Sequence, residues 1–294
     1  MVAHIPDLYS AAPYIERFDK SVFVIKIGGE VLSNPSQLHS LVRQVRVLNQ
    51  LGVHPVLVHG AGTQLDAALK KAGHTPEKLH GRRVTDKETL ELAAQVFRGS
   101  ANLTLVGALR QGHLKAIGLS GVDGDVLTLR RRPPVEIDGQ KVDFGHVGDP
   151  VSVDPSALRT LVDADIVPVV CSLGCDREGN LLNVNADTVA CEIAVAMKAA
   201  KLMFVTDKPG ILHDPKDDES IYSLLDAKEC EELTREGIIA GGMLPKVHNA
   251  MDALRRGVAS VHIVGANEPD ALVEETFTNQ GCGTMLVLKK EKGE

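Results

Sequence analysis

Short apolar runs alternate along the chain with longer segments in which apolar residues recur at every third or fourth position. Segments such as TQLDAALKKAG end on glycine, a common residue at the end of a helix. The runs are continuously apolar, as in strands of a parallel sheet that is covered on both faces. The predicted strands are VFVIKI, HPVLVHG, HLKAIGLSG, ADIVPVVCSLG, KLMFVTD and ASVHIVG. The pattern predicts an α/β protein built from βαβ units.

One region departs from this alternation. Residues 125–148 favour an antiparallel hairpin, with Asp138-Gly139 near its turn. A glycine-rich, charged turn at residues 174–180 marks a predicted boundary between two lobes. The expected division is an N-terminal helical extension at 1–20, lobes at 21–176 and 177–288, and a tail at 289–294.

The composition excludes several classes of function and of structure. With 294 residues, 44% of them hydrophobic, the chain can bury a large core. Aromatic residues make up 3% and the formal net charge is -7, which argues against a nucleic-acid partner because stacking platforms and a basic surface are both scarce. The five cysteines include no CxxC pair, so neither a disulfide framework nor a zinc ribbon is predicted. The sequence shows no secretion signal and no long apolar span, so we expect a cytoplasmic protein without a membrane partner.

Two glycine-rich turns directly follow predicted strands. Gly28 and Gly29 follow the first strand, which contains Lys26, and Gly60-Ala61-Gly62 follows the next. Glycine lets backbone N–H groups approach an anion, and lysine supplies a point charge for phosphate. The alternative for Lys26 is a lysine on an edge strand that reaches solvent. The alternative for the second turn is an ordinary tight connection between a strand and a helix. The second turn is neither a dinucleotide fingerprint nor a Walker A loop, since Leu65 replaces the third glycine and no GK[ST] follows.

Further charged and polar candidates lie at other predicted element ends. Arg83, in GRRVTD, suits a bidentate clamp on a carboxylate, although adjacent arginines are more often an exposed charge pair. Asn183, Asn185 and Asp187 lead into a predicted helix, and a helix cap requires only one of them. Lys246, in GGMLPKV, follows a glycine pair at a helix start, where a lone lysine is normally solvated. Together these positions indicate an anion-binding site, because open α/β sheets bind ligands at such ends.

The sequence offers no sign of a general base or a protein metal site. A nucleophile elbow with a Ser/His/Asp order and an HExxH motif are both absent from it. We interpret His59 and His146 as hydrogen-bonded structural residues rather than bases. The eleven histidines show no metal-ligand spacing, so no metal ligands are predicted.

Eight motifs occur in the order and approximate spacing of the amino acid kinase family, and the resemblance covers roughly residues 10–288. They are VIKIGGEVL, VHGAG, GRRVTD, GLSGVDGD, NVNADTVA, TDKPGIL, GGMLPKV and GCGTMLV. The resemblance implies a three-layer αβα sandwich with a mainly parallel central sheet and two lobes. It further implies that the lobe at 21–176 binds the amino-acid substrate and that the lobe at 177–288 binds ATP.

The implied activity is transfer of the γ-phosphoryl group of ATP to the side-chain carboxylate of N-acetyl-L-glutamate, in arginine biosynthesis. Lys26 and Lys246 are implied to contact the transferring group, with Asp187 orienting both. The implied substrate-binding residues are Gly60, Ala61, Gly62, Arg83 and Asn183, and the implied ATP-binding residues are Gly28, Gly29, Asp207, Gly210 and Lys246. Mg²⁺ is expected to bind mainly through the ATP phosphates and water. A carboxylate acceptor is already ionised at neutral pH, so no general base is needed.

Three positions depart from the family pattern. Ala61 replaces a glycine, Leu103 stands after Asn102 where the family has lysine, and Glu30 follows the first glycine pair. These departures leave open a kinase for a related N-acylated or carrier-linked amino acid such as aminoadipate. A non-catalytic arginine-sensing protein is the other alternative, and the retained phosphoryl-transfer residues argue against it.

Two segments resemble the regulatory parts of arginine-inhibited family members. Residues 11–21 resemble an N-terminal helix that joins dimers into hexamers, and ALVEETFTNQGCGTM resembles the arginine-binding segment. Glu275 and Gly281 are the implied effector-site residues, whereas Asp270 stands where a histidine is common. We therefore expect a homo-oligomer, dimeric or hexameric, with arginine as an effector.

Overall fold

A computed structural model of the protein describes residues 8–79, 82–137, 139–279 and 281–290. The helices in these ranges are α1 (Leu8–Phe18), α2 (Gly29–Ser33), α3 (Pro35–Gln50), α4 (Gly62–Lys71), α5 (Lys87–Ala94), α6 (Asn102–Gln111), α7 (Ser156–Asp163), α8 (Ala186–Met197), α9 (Ala227–Arg235), α10 (Met243–Arg255) and α11 (Ala271–Phe277). A π-helical turn, Gln95–Ala101, joins α5 to α6, and a 3-10 turn spans Asp123–Asp125. The strands are β1 (Val22–Ile27), β2 (His54–His59), β3 (Lys78–Leu79), β4 (Arg82–Arg83), β5 (Ala116–Ser120), β6 (Leu127–Arg131), β7 (Val135–Ile137), β8 (Gln140–Val142), β9 (Gly148–Val153), β10 (Val167–Cys171), β11 (Leu173–Cys175), β12 (Leu181–Asn183), β13 (Lys201–Thr206), β14 (Leu224–Asp226), β15 (Ser260–Gly265) and β16 (Thr284–Val287).

Eight strands form the central sheet, in the order β14-β16-β15-β13-β1-β2-β10-β5. The strands predicted from the apolar runs are β1, β2, β5, β10, β13 and β15, and these six strands pair with one another in parallel, as expected. β16 is antiparallel to β15 and parallel to β14. The sheet is therefore mainly parallel, with a reversed pair of strands at one side.

The alternation of side chains along β1 separates two cores on opposite faces of the sheet. Phe23, Ile25 and Ile27 face a core that includes residues of α1, α3, α4, α6 and α11. Val24 faces a core that includes residues of α7, α8, α9 and α10. Helices on both faces of the sheet confirm the predicted three-layer αβα sandwich. Lys26 shares the face of Val24, and β1 is a central strand, so the alternative of an edge-strand lysine is wrong.

A four-stranded sheet, in the order β12-β11-β6-β9, and two short hairpins accompany the main sheet. β7 and β8 pair antiparallel, which confirms the predicted hairpin, while Asp138 of its turn lies outside the described residues. The predicted lobe boundary at 174–180 falls in the hairpin between β11 and β12. The division into lobes at 21–176 and 177–288 stays a prediction.

Helix α1 packs onto the edge of the first core. Phe18 is buried and meets Phe23 edge-on, with ring centroids 5.2 Å apart. Lys201 Nζ lies 5.3 Å from the centroid of the Phe18 ring. The Tyr14 hydroxyl donates to the side chain of Asn279. These contacts tie α1 to β1, β13 and the segment after α11.

The predicted extension at 1–20 and the predicted tail at 289–294 are described only in part. The extension is helical from Leu8 to Phe18, and residues 1–7 and 291–294 lie outside the described ranges. Among the helices described, none has both the length and the apolar character that a membrane span requires.

Candidate active site

Lys26, Asp187 and Lys246 meet near the carboxyl end of β1. Lys26 Nζ lies 2.8 Å from Asp187 Oδ1. Lys246 Nζ donates a hydrogen bond of 2.7 Å to Asp187 Oδ2. The three side chains come from β1, the first turn of α8 and the first turn of α10. The structure thus brings together the three residues that the family resemblance places at the transferring group, and one carboxylate holds two ammonium groups side by side.

The start of α8 fixes the position of Asp187. Asn185 is the N-cap, and its side-chain oxygen accepts hydrogen bonds from Asp187 N at 2.7 Å and Thr188 N at 3.3 Å. A carboxylate in the first turn is also stabilised by the positive end of the helix dipole. Burial alone would raise the pKa of Asp187, but Lys26 and Lys246 outweigh burial and hold that pKa below its ordinary value. The carboxyl group is therefore ionised at neutral pH.

This centre carries excess positive charge, because two ammonium groups share one carboxylate. Asp187 Oδ1 receives no well-directed hydrogen bond from a described group, so its contact with Lys26 is an ion pair only. Lys246 Nζ lies 5.9 Å from the centroid of the Phe204 ring, whose face attracts a cation. Lys26 is only 9% exposed. Since charges interact more strongly away from bulk water, the centre suits an anionic ligand.

The two glycine-rich turns lie side by side, because β1 and β2 are neighbours with Ile27 level with His59. Gln64 connects them: its Nε2 donates to Gly29 O at 2.6 Å and to Ser33 Oγ at 2.9 Å. A Cβ at Gly29 would lie 2.8 Å from Gln64 Oε1 and 3.3 Å from Ala61 Cα, so a larger residue would crowd the contact between the two turns. The turns predicted to bind phosphate and substrate therefore contact each other beyond the end of the strand that carries Lys26.

The Gly60-Ala61-Gly62 turn opens helix α4. A Cβ at Gly60 would lie 3.5 Å from Ala186 Cβ, which places the turn against the start of α8. Ala61 is fully buried and packs in the first core, so its methyl group is accounted for by core packing. The N–H groups of Gly62 and Thr63 have no acceptor among the described residues, as at most helix starts, and can bind an anion.

Arg83, on β4, is paired with an aspartate that the sequence did not single out. Its Nη2 donates to Asp66 Oδ1 and, at 3.2 Å, to Gly62 O. Lys78 Nζ lies 2.8 Å from Asp66 Oδ2. Burial would raise the pKa of Asp66, but Lys78 and Arg83 lower it below its ordinary value. Arg83 Nη1 is buried without a hydrogen-bond partner in the described chain, so it is a spare donor of the kind a carboxylate ligand needs.

Asn183 links two motifs that are far apart in the sequence. Its Nδ2 donates to Thr85 Oγ1 at 3.1 Å. Its backbone N–H donates to His146 O at 2.9 Å, and His146 N donates to Thr85 O at 2.7 Å. His146 takes part here through its backbone, and its interpretation as a structural residue stays a prediction. Thr85 is a site neighbour that the sequence did not indicate, because threonine is an ordinary loop residue and carries no charge that would single it out.

Asp207 and Gly210 lie in the loop after β13, the strand next to β1. Asp207 is exposed, and its Oδ1 accepts a hydrogen bond from Thr206 Oγ1 at 2.9 Å. A Cβ at Gly210 would lie 2.6 Å from Thr284 Oγ1, which also accepts from Ile211 N at 2.8 Å. Close packing against β16 thus accounts for glycine at position 210. The role of both residues at ATP stays a prediction.

The predicted effector residues form a second buried cluster at the other end of β13. Glu275 Oε1 lies 2.8 Å from His262 Nδ1, and Lys201 Nζ donates to Glu275 O at 3.1 Å. A Cβ at Gly281 would lie 2.6 Å from Glu275 Oε2, which accepts from Gly283 N at 3.1 Å. Burial lowers the pKa of Lys201 to about 8, although Glu275 opposes this change. Glu275 and Gly281 are therefore neighbours, apart from the lysine-aspartate centre.

The fold and this centre define a class of protein. Residues 21–265 match the model of the amino acid kinase family, and the chain belongs to this family. The acetylglutamate kinase of Methanothrix thermoacetophila is 41% identical to it over 279 residues, which cover 95% of this chain and 96% of the relative. The acetylglutamate kinase of Myxococcus xanthus is 42% identical over 293 residues, which cover 96% of this chain and 95% of the relative. The predicted family and enzyme class, a kinase, are confirmed.

Solved structures agree with the fold. N-acetylglutamate synthase from Neisseria gonorrhoeae, complexed with coenzyme A and N-acetyl-glutamate, matches with a TM-score of 0.83 at 31% identity, covering 99% of this chain and 64% of that chain. The same synthase with coenzyme A and L-arginine matches with a TM-score of 0.82 at 28% identity, covering 98% of this chain and 66% of that chain. Carbamate kinase from Giardia lamblia bound to AMP-PNP matches with a TM-score of 0.66 at 17% identity, covering 92% of this chain and 99% of that chain. At this identity, the match shows only that the two proteins share a fold.

Proposed function

We propose that the protein transfers the γ-phosphoryl group of ATP to the side-chain carboxylate of N-acetyl-L-glutamate, giving N-acetyl-L-glutamyl 5-phosphate in arginine biosynthesis. The observation that carries the proposal is the pairing of Lys26 and Lys246 on the single carboxylate of Asp187. This arrangement provides two cations for a phosphoryl group in transit. Relatives about as similar as the Methanothrix kinase, at 41% identity, carry the name acetylglutamate kinase and support this acceptor.

The chemistry requires charge neutralisation rather than a base. The side-chain carboxyl of the acceptor has an ordinary pKa of about 4.3, so it is ionised at neutral pH. One carboxylate oxygen attacks the γ-phosphorus and forms an O–P bond, while the bond from this phosphorus to the bridging oxygen breaks and ADP leaves with the electron pair. Lys26 and Lys246 offset the negative charge of the transferring group, and Asp187 maintains their spacing.

The substrates occupy opposite sides of this centre. Arg83 binds the α-carboxylate of the acceptor through its spare Nη1, and Asn183 holds the same molecule. The N–H groups of the turn at 60–62 complete the acceptor site in the lobe at 21–176. ATP binds between the turn at 28–29 and the lobe at 177–288, where the predicted contacts are Gly28, Gly29, Asp207, Gly210 and Lys246.

Mg²⁺ fits this site as a companion of ATP. When bound, it neutralises phosphate charge and aligns the leaving oxygen. Asp187 is committed to two lysines, and no group of three His, Cys, Asp or Glu side chains within the described ranges is placed to hold a metal ion. The donor set therefore favours binding through phosphate oxygens and water, which is the usual preference of Mg²⁺ at such sites.

The departures that left a different acceptor open have local causes. Ala61 packs in the core, and Leu103 is 64% exposed on the surface. The relatives named acetylglutamate kinase support the shorter acceptor. N-acetyl-L-glutamate is therefore preferred over a longer or carrier-linked acceptor.

Regulation by arginine belongs to the same proposal. Glu275 and Gly281 are neighbours in the buried cluster, and the synthase complexed with L-arginine supports arginine as a ligand of this fold. Asp270, at the position where a histidine is common, pairs with Arg43 at 2.6 Å. The effector contacts therefore come from Glu275 and Gly281 rather than from position 270.

The protein acts as a cytoplasmic homo-oligomer in this proposal. β5 is the end strand of the main sheet, and an exposed strand edge is a ready pairing surface. Ile117 on this strand is 40% exposed, and Leu103 and Val122 nearby in the fold are 64% and 40% exposed. These apolar side chains support a dimer formed at this edge, which α1 then extends to a hexamer.

Trapping of the acyl phosphate with hydroxylamine tests the function. The purified protein is given MgATP and, in turn, N-acetylglutamate, glutamate, aspartate or N-acetylaminoadipate, each with and without arginine. We expect a hydroxamate chiefly from N-acetylglutamate, in lower yield with arginine. A preference for N-acetylaminoadipate would replace the proposed acceptor, and no hydroxamate from any acceptor would overturn the kinase function.

A variant of the centre links the reaction to the observed geometry. Lys246→Ala should lower turnover on the order of 100- to 1000-fold, the usual effect of removing one preorganised electrostatic donor. Lys228→Ala is the matched control, because the Lys228 side chain is 83% exposed on α9. Circular dichroism of both variants checks that the fold is retained. Equal turnover in Lys246→Ala and Lys228→Ala would show that Lys246 takes no part in the reaction.

A further inference from the structure

A buried pair of polar side chains, His59 and Asn102, lies beneath the turn at residues 60–62. Neither side chain has exposed surface. His59 ends β2 on the face opposite Val58, so its ring points to the α6 side of the sheet. Asn102 Nδ2 donates to His59 Nε2 at 2.9 Å and to Val169 O at 3.0 Å. The imidazole therefore reaches the turn from the side of the sheet that does not carry the lysines.

These contacts assign one tautomer to His59. The amide nitrogen of Asn102 is only a donor, so Nε2 accepts and the proton lies on Nδ1. Nδ1 then donates to Gly60 O at 3.3 Å. Burial lowers the pKa of His59 to about 4, which keeps the ring neutral. Cys171, level with His59 on β10, is also uncharged, because burial raises its pKa to about 12.

The buried His59–Asn102 pair has a structural cost that two apolar side chains in the same place would not have. Asn102 Oδ1 is buried and has no hydrogen-bond partner in the described part of the chain. A Cβ at Gly118 would lie 1.8 Å from this oxygen, so glycine on β5 is what makes room for the amide. The π-helical turn Gln95–Ala101 ends directly before Asn102, and such turns occur frequently at functional sites. A buried amide with an unpaired oxygen, held by these two features, indicates a role beyond packing.

We propose that His59 and Asn102 are positioning residues that orient the Gly60–Ala61 peptide and thereby hold the turn at residues 60–62 so that its exposed Gly62 N–H donates to the carboxylate acceptor. In a planar trans peptide the N–H points away from the carbonyl, so holding Gly60 O toward the imidazole turns the Ala61 N–H to the other side. That side faces α8, because Gly60 lies against Ala186, the residue before Asp187. The identity of the ligand rests on the proposed function, whereas the orientation of the peptide does not.

Two substitutions at His59 separate positioning from packing. In His59→Asn, the amide nitrogen takes the place of Nδ1 and keeps the donor to Gly60 O. In His59→Gln, the longer side chain brings its amide to the place of Nε2, where its oxygen still accepts from Asn102. The donor to Gly60 O is then lost. We expect His59→Gln to raise KM for N-acetylglutamate roughly 10- to 100-fold, the effect of one lost hydrogen bond to a charged group. KM for ATP should stay near the parent value, and His59→Asn should restore most of the loss.

A control on α6 completes this series. Arg110→Ala removes an exposed side chain in the last turn of this helix, away from the π-helical turn, and should leave both KM values unchanged. Equal KM values for N-acetylglutamate in His59→Asn and His59→Gln would overturn the proposal. A parallel rise of both KM values in proportion to lost thermal stability would also overturn it, since a purely structural role predicts that result.

The tautomer can be measured without activity. Long-range ¹H–¹⁵N correlation spectra of the parent protein should show the His59 proton on Nδ1 at pH 7, and Asn102→Ala should give a mixture of tautomers. A proton on Nε2 in the parent would contradict the pair's assigned geometry. If the parent forms no acyl phosphate with any acceptor, the proposed function fails, while these spectra still decide the positioning of the Gly60 carbonyl.

Discussion

Lys26 is the residue whose placement most depends on a counter-charge. An ammonium group in a central strand, with 9% of the residue exposed, would cost several kcal/mol without a partner. Asp187 and the N-cap Asn185 offset this cost from the neighbouring helix. A valine or isoleucine would fill the same strand position at no electrostatic cost. The lysine is therefore required by the site and not by the core.

Replacement of Asp187 by asparagine should lower stability in a pH-dependent way. At pH 7, Asp187→Asn leaves two ammonium groups without a counter-charge, and we expect a loss of roughly 3 kcal/mol, the lower end for a broken buried pair because Lys246 is partly exposed. In the folded parent the pKa of Asp187 lies below its ordinary value of 3.8, so this stability is present above that value and disappears as the pH falls through the lower, folded pKa. Urea unfolding of both proteins from pH 7 to pH 3 measures the difference.

Asp163→Asn is a suitable control for this measurement, because Asp163 is exposed at the end of α7 and its side chain has no hydrogen-bond or ion-pair partner among the described residues. A difference between the parent and Asp187→Asn that stays constant down to pH 3 would contradict the assigned ion pairs.

The central charged residues were predictable because they interrupt apolar or glycine-rich patterns. Lys26 stands between isoleucines, and Asp187 belongs to a polar group larger than a helix cap requires. Asp66 and Asn102 were not predictable as site neighbours. Each lies in a helix where a polar residue is ordinary, and their partners Arg83 and His59 become neighbours only through the fold.

At the level of elements, α1 stands outside the alternation of strands and helices yet contributes to the first core. Its buried residue Phe18 contacts both Phe23 and the Lys201 ammonium group. Lys201 in turn donates to the carbonyl of Glu275. The helix is thereby connected to the cluster that contains the predicted effector residues.

Phe18→Ala should lower the free energy of unfolding by about 3 kcal/mol, as expected for truncation of a buried phenylalanine. The reason is the loss of the edge-on contact with Phe23 and of the ring beside Lys201. Glu16→Ala is the control, because Glu16 is exposed on the same helix. Denaturant unfolding of both variants gives the comparison. Similar losses in the two would show that α1 does not contribute to the core as described.

The sequence predicted some elements and missed others for physical reasons. Strands buried on both faces form continuous apolar runs, and these were all found. β14 and β16 are only three and four residues long, too short for a period to be recognised. The π-helical turn Gln95–Ala101 has no sequence signature of its own, so α5 and α6 look like one helix until the backbone is seen.

At the level of the whole molecule, β5 is the end strand of the main sheet, and its open edge favours association with a second copy. Ile117→Lys should convert the proposed dimer to a monomer, because a charge would then have to be buried at the strand edge. Val151→Lys is the matched control, since Val151 is 49% exposed on β9, outside the main sheet. Light scattering coupled to gel filtration measures both masses. A parent protein that is already monomeric, or an unchanged mass for Ile117→Lys, would rule out this edge as the interface.

The order of strands in the sheet also implies an order of events during synthesis. β14 has β16 as its partner in the main sheet, yet β16 leaves the ribosome much later. The strands of the βαβ alternation can pair as they emerge, whereas β14 must wait for residues 284–287. A translation product that stops before residue 284 therefore exposes two open strand edges, on β14 and β15. Such edges can pair with other chains, so an incomplete copy is more prone to association than a complete one, in which β16 covers one edge of both strands.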